Sequence, residues 1–356
     1  MGAAETPTIG DSTPPHTLSV RYTPENPLLV DRCLARLPIP RGWAIALVGA
    51  FFLLIPAILA YGSGYTDIAL LNANYRAQFI YALLLVYVLL TIPVLEGASE
   101  RVVRALRPVT QLNDAAFQAV VDRASPVEST KELLAFGVGM ALGLTINVLF
   151  EPLPESPSSL DIYAYWSRVG IFGVIGWVFY TIPRGVRVTN ALLKQPTAVD
   201  PFDLAPFEPI GRQSLLLALT VLGGAVLSLL SASIYNRSLW VEYLFVYGTG
   251  VIGVFILFFW GMRSVHQLLA ATKRKHLDSV EHNIARAYTQ LQRSIADNEE
   301  TLAVATELNA LVAAKDQLRE TRTWPFNTET LSTLSVAVLT PLFVGLARFL
   351  AMFLGR

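Results

Sequence analysis

Apolar and polar positions fall in long blocks along this chain. Seven blocks are apolar over about the 20 residues that a bilayer crossing needs. They are Trp43–Tyr61, Phe79–Leu95, Leu133–Phe150, Tyr165–Ile182, Leu215–Ile234, Trp240–Met262 and Leu331–Phe353. Trp43, Tyr61, Trp166, Trp240 and Trp260 stand at block edges, where aromatic rings meet lipid headgroups. The second block is the shortest and ends on Pro93 and Glu96. Ser129 followed by Glu132 has the spacing of a capping box ahead of the third block. The pattern predicts an all-α integral membrane protein with seven transmembrane helices.

The polar blocks carry structure of their own. Val109, Leu112, Ala116, Phe117, Val120 and Val121 share one helical face, flanked by Arg104, Arg107 and Arg123. This predicts an amphipathic helix near 109–123 lying on the inner leaflet. Residues 200–212 read DPFDLAPFEPIGR. Three prolines forbid a regular helix or central strand there. Two phenylalanines, Phe202 and Phe207, and three acids, Asp200, Asp203 and Glu208, predict an ordered loop docked on its surroundings.

After the sixth block, apolar residues recur in steps of three and four at Leu277, Val280, Ile284, Tyr288, Leu291 and Ile295. The pattern breaks at Asp297-Asn298 and resumes at Leu302, Ala305, Leu308, Val312 and Leu318. Such steps mark amphipathic helices of coiled-coil type. One straight helix from Arg263 to Arg322 would reach about 90 Å from the membrane. No residues would then remain to return for the last block. A turn near Asp297-Asn298 removes the conflict and predicts an antiparallel helical hairpin over 263–323.

Composition supports the membrane class. The chain of 356 residues is 53% hydrophobic and 15% charged, with mean hydropathy +0.48, against about 25% charged residues in soluble domains. Net charge is zero, so no basic surface calls for nucleic acid. Cys33 is the single cysteine and has no partner for an internal disulfide. Residues 1–40 contain no continuous apolar core of a signal peptide and read as a partly disordered tail.

Lys and Arg set the orientation. They crowd the tail, 97–132, 183–214 and 263–330, whereas the other side carries Arg76, Arg168, Arg237 and Arg356. The positive-inside rule then predicts N-inside and C-outside. The domain plan is a cytoplasmic tail over 1–40, a six-helix bundle over 41–262, the hairpin over 263–323 and the seventh helix over 324–356.

Candidate chemistry is sparse. His16, His266, His276 and His282 fall outside the apolar blocks, so transmembrane haem has no histidine ligand. No hydrolase, zincin, phosphate-loop or dinucleotide signature is present. No enzyme, cofactor or metal is expected. Arg348 reads as a charge snorkelling to headgroups, or as one facing a pore. Glu242 reads as an interfacial carboxylate or a selectivity group, and Asn147 as a hydrogen-bonding group on a neighbouring helix. Gly139 and Gly143 stand four apart, and Gly170, Gly173 and Gly176 make a helical stripe. Close helix packing and pore lining are both open readings.

The stretch TWPFNTETL at 323–331, with its preceding charged helix and following apolar block, resembles an uncharacterised group of prokaryotic multi-pass membrane proteins. These carry a Trp-Pro-Phe-(Asp/Asn)-Thr signature at that place. AVDPFDLAPFEPIGR at 198–212 is similar to a loop of the same group. The resemblance covers at most the C-terminal half and implies architecture alone. Asn327 stands where Asp is more frequent.

The expected function is a homo-oligomeric channel or passive transporter for ions or small solutes, assembled or gated by the hairpin. Its alternative is a membrane scaffold or sensor whose hairpin holds a cytoplasmic protein partner. Trp324, Pro325, Phe326, Asn327, Asp200, Phe202, Asp203 and Phe207 are the candidate coupling residues. Arg348, Glu242, Asn147, Gly170, Gly173 and Gly176 are the candidate pore residues.

Overall fold

The structure is a computed structural model describing residues 28, 32, 36, 38–64, 73–126, 128–150, 152–234, 240–296, 301–324 and 331–340. Its helices are α1 (Arg41–Gly62), α2 (Ala73–Leu106), α3 (Asp114–Ala124), α4 (Ser129–Phe150), α5 (Ser159–Thr181) and α6 (Pro183–Leu193). They continue as α7 (Glu208–Ile234), α8 (Trp240–Ala296), α9 (Leu302–Glu320) and α10 (Leu331–Thr340). No strand occurs among the described residues. An isolated antiparallel bridge joins Thr110 to Thr197.

Six of these helices, α1, α2, α4, α5, α7 and α8, are long and apolar enough to cross a membrane. Of the seventh expected span, the described part is the ten-residue α10; Pro341 and the residues after it, Arg348 included, lie outside the described residues. Leu334 and Val338 of α10 are buried with Ala218 and Leu222 of α7 and Phe258 and Met262 of α8. The start of the seventh block therefore packs within its own subunit.

Local chemistry sets the helix limits. α5 starts six residues before its apolar block because Ser158 and Asp161 form a reciprocal capping box. The proposed box at Ser129 and Glu132 is a different matter. Ser129 is already the first helical residue, and the Glu132 carboxylate turns into the bundle. Pro183 opens α6 at a position that needs no N–H donor. α2 does not stop at Pro93. It continues to Leu106, and Ala98, Val102, Val103 and Leu106 are buried. Neighbouring helices make such a proline tolerable inside a bundle.

Beyond the bundle, α3, α6, the 200–207 loop, the first turn of α7 and the inner turns of α2 and α8 form a compact cap. Its core holds Leu106, Phe117, Val121, Val188, Leu192, Phe207, Ile210 and Val265. The expected proline-rich loop ends at Phe207, because Pro209 sits in the first turn of α7, where no N–H donor is needed. Phe117 is 0% exposed. The amphipathic helix expected on the leaflet is α3, and protein covers its apolar face instead of lipid. The reason is α6, a second short amphipathic helix, whose Val188 and Leu192 supply the matching surface. Asn113 caps α3 by accepting from the Ala116 N–H at 2.8 Å.

α8 has 57 residues, which is about 85 Å of unbroken helix. It carries both the sixth apolar block and the outgoing arm. α9 returns along it. Lys315 Nζ lies 2.9 Å from Glu281 Oε1, and Lys273 Nζ donates to the carbonyls of Arg319 and Thr321. Partners fall on α9 as they rise on α8, so the arms run antiparallel. Asp297-Asn298, the expected turn, lies outside the described residues.

Candidate ligand cavity

Glycine decides how closely the bundle helices approach. A Cβ on Gly139 would lie 2.2 Å from the Phe172 carbonyl oxygen, and one on Gly176 would lie 2.5 Å from that of Ala135. Gly143 and Gly173 meet Phe172 and Met140 side chains at 2.8 Å in the same test. The glycines of α4 and α5 thus form one close contact, as small residues do between helices in lipid. This corrects the pore-lining reading for Gly173 and Gly176, whose face is filled by α4. Gly170 has open space beside it.

α7 approaches α2 in a related way. Gly223 makes room for the Tyr87 ring, whose hydroxyl donates to the Thr220 carbonyl at 2.9 Å. α5 and α7 both pack on α2. Between them, with α8 contributing Gly253 and Leu257, lies a cavity of about 500 Å³. Volumes of about 300–1,000 Å³ are usual for small-molecule sites. Its walls are hydrocarbon for most of their length, including Leu84, Val88, Ile92, Ile171, Val174, Ile175, Leu217 and Val221. Along α2 the lining runs from Leu84 to Ser99, about 22 Å of helix.

The cap end of the cavity is polar. Ser99, Gln213, Ser214, Arg184 and Glu96 line it. Gln213 Nε2 donates to Ser99 Oγ at 2.8 Å, and Ser99 Oγ donates to the Leu95 carbonyl. A Cβ on Gly185 would lie 2.5 Å from both Gln213 Nε2 and Ser99 Oγ, so only glycine lets α6 seal this end. The Arg184 guanidinium is buried and donates through Nε to the Ser125 carbonyl at 3.0 Å. Glu96 is half-buried and faces Arg41 at 3.9 Å. The cavity therefore has a hydrocarbon body and one hydrogen-bonding end.

One side of the wall is closed from an unexpected direction. Leu28, from the stretch read as a loose tail, is buried with Ile45, Leu89, Ile92 and Trp177 and lines the cavity. Arg32 reaches Glu132 at 3.2 Å, and the Trp177 indole N–H donates to the same carboxylate at 2.7 Å. Glu132 is 0% exposed. Its partners lie far away in the chain, so its local spacing to Ser129 pointed to a different role.

The bundle end remote from the cap carries a second polar layer. Asn147 is buried, donates to the Tyr165 carbonyl at 3.0 Å and accepts from Arg168 Nη1 at 3.0 Å. Ser167 donates to Gln78 Oε1. Asn147 thus binds a neighbouring helix and does not line the cavity. The Glu242 side chain, like Arg348, is outside the described residues.

The coupling candidates divide. Trp324 stacks on His266, with centroids 4.1 Å apart and planes at 12°, and meets Phe259 edge-on. His266 Nδ1 lies 3.1 Å from the Thr323 carbonyl. This ties the root of the arms to α8. Pro325, Phe326 and Asn327 lie outside the described residues. Asp200 and Asp203 accept from the Phe202 and Ala205 N–H groups, which shapes the loop as two side-chain-capped turns. Phe207 is buried in the cap, whereas Phe202 is 53% exposed. The loop is docked through one phenylalanine, not both.

These features define a class: helical throughout the described residues apart from one isolated bridge, with six helices long and apolar enough to cross a membrane and, between them, a cavity whose cap end is polar. No family model, curated protein or solved structure matches the chain.

Proposed function

We propose that the protein is a passive transporter for an amphiphilic molecule, which enters the cavity with its hydrocarbon portion between α5 and α7 and its polar head at Ser99, Gln213 and Arg184. One observation carries this reading: the cavity has apolar walls and a hydrogen-bonding end. A hydrated ion would lose water against such walls and gain little in return, which weighs against the ion channel expected earlier. The Lys- and Arg-rich side coincides with the cap and the paired arms, so the polar end belongs at the cytoplasmic face under the positive-inside rule.

The test uses the full chain in liposomes with a diazirine-bearing long-chain alcohol. Saturable photolabelling should fall on peptides of α2, α5 and α7, and unlabelled alcohol should compete. Ala225→Trp, which fills the cavity from α7, should abolish it. Labelling that does not saturate, or that survives Ala225→Trp in folded protein, refutes the reading.

The arms favour a second reading, a scaffold for a protein partner or for further copies of the chain. Tyr288, Ile295, Leu302 and Val312 are exposed along them, and apolar seams of this kind associate. Deletion of 270–318 should then release a stoichiometric partner or dissociate an oligomer. A monomer that loses nothing on deletion removes this reading.

A further inference from the structure

We propose that the occupant of the cavity is a phospholipid of the leaflet on the cap side, seated sideways between α5 and α7 with one acyl chain inside and its head at the polar end. This rests on the amphiphile-binding reading of the same cavity and names the class of amphiphile and its route.

The route follows from which helices touch. α5 packs chiefly on α4 and α2, and α7 chiefly on α2 and α8. α2 is therefore the floor of the cavity, α5 and α7 are its sides, and α6 closes one end. Among the described residues, Leu28 and α8 supply the rest of the lining. The side opposite α2 stays open. Phe179 of α5 lines the cavity and is 60% exposed, and the lining residues Val221, Gly224 and Ala225 of α7 are half-buried. The rim continues as hydrocarbon: Ile252 and Ile256, beside the lining residues Gly253 and Leu257 of α8, are exposed. A mouth with an apolar rim, on helices apolar enough to cross a membrane, opens on lipid.

Depth supplies the occupant. Trp43 and Trp260 are exposed, and tryptophan at a span edge marks the level of the headgroups. Both stand level with the polar end of the cavity. Trp43 is two residues from Arg41, which faces the lining residue Glu96 at 3.9 Å. Trp260 precedes Gly261, where a Cβ would lie 2.6 Å from Ser214 Oγ and 3.8 Å from Val186, both of the lining. The hydrogen-bonding end thus lies at headgroup depth, and the apolar walls run from there toward the middle of the bilayer. A phospholipid already sits in the leaflet at that depth. It moves in sideways without taking its charged head through hydrocarbon, which would be costly. The open side leaves its second chain in the bilayer against Phe179. A water-borne amphiphile would instead need a mouth at the cap end, and there α6 closes on Ser99 and Gln213 through Gly185.

The test uses the full chain in nanodiscs doped with phosphatidylcholine that carries a diazirine either near the glycerol or near the methyl end of one chain. Tandem mass spectrometry reads the marked residues. The near-glycerol probe should mark Leu95 and Leu217, and the chain-end probe Leu84 and Ser228. Ala225→Trp should remove marks on the lining residues Val88 and Thr91. Marks on Leu134 and Val138, exposed on α4, should persist and serve as the reference for bulk lipid. Marks confined to such exposed residues overturn the proposal, as does a reversed order of the two probes along α2. The diazirine alcohol, run in parallel, separates the two ideas. Saturable alcohol labelling without phospholipid marks in the lining removes the leaflet lipid and keeps the amphiphile. Phospholipid marks in the lining without saturable alcohol labelling keep the lipid seat and remove the carried ligand. Loss of both removes both.

Discussion

Gly139→Ala is the sharpest probe of how this bundle is held together. The added methyl would sit 2.2 Å from the Phe172 carbonyl oxygen, which belongs to backbone and cannot rotate away. Ordinary contact begins near 3.4 Å, so α4 and α5 must part by about 1.2 Å at this level. Overpacking of this kind costs about 1–3 kcal/mol. Two turns further along, Asn147 spans the same interface through its 3.0 Å bonds to Tyr165 and Arg168. Separation would stretch them, and interhelical hydrogen bonds in membranes contribute about 0.6 kcal/mol each. A gain of up to about 1 kcal/mol from replacing glycine in a helix offsets part of this. The net expectation is a loss of about 1–3 kcal/mol. Gly170→Ala is the matched control, since a Cβ there meets nothing within 4 Å. It should be neutral or stabilising. Thermal unfolding of both variants in nanodiscs, followed by tryptophan fluorescence, measures the difference. Equal melting midpoints for the two would refute the close-packing account of the glycines.

Other outcomes follow from the cap and the arms. Phe117→Ala, at a fully buried position, should destabilise the cap by about 3–5 kcal/mol; limited proteolysis near 107–113 should speed up while the bundle peptides stay protected. Trp324→Ala removes the stack on His266 and the edge contact with Phe259, worth about 0.5–1.5 kcal/mol beyond lost area; amide exchange should rise at the base of α9 without a change in photolabelling. The Lys315 ammonium beside Glu281 holds its carboxyl below the ordinary carboxylate value. A lowered acid pKa stabilises the paired arms fully above the ordinary carboxylate range, and the contribution disappears as pH falls through the lowered value. Spin labels on α8 and α9 should therefore show broader distances on acidification, and Glu281→Gln should remove that pH dependence.

Much of the architecture was legible in local patterns. Apolar blocks located the six helices long and apolar enough to cross a membrane, because a bilayer crossing is a requirement on one continuous segment. The break after Ile295 indicated paired arms because a chain must return to where its last apolar block lies. The proline-rich stretch at 200–212 was readable as docked because exposed phenylalanine pairs are costly, although Phe207 alone is buried and the last five residues already belong to α7. α6 escaped notice. Its Val188 and Leu192 lie on the apolar face of a strongly amphipathic helix, but that helix is only 11 residues long and follows α5 almost directly.

The sequence by itself determined what depends on neighbours along the chain: helix type, span length, the paired arms and the apolar face of α3. Only tertiary structure decided where that face and the buried polar groups would point. Glu132 has capping-box spacing to Ser129, yet its partners Arg32 and Trp177 stand 100 and 45 residues away. The cavity, too, has no signature in the sequence, because it is the space left where α5 and α7 both lean on α2. Periodicity is a property of one helix. A carboxylate's partners and a void's shape are properties of several helices at once, and packing alone brings those together.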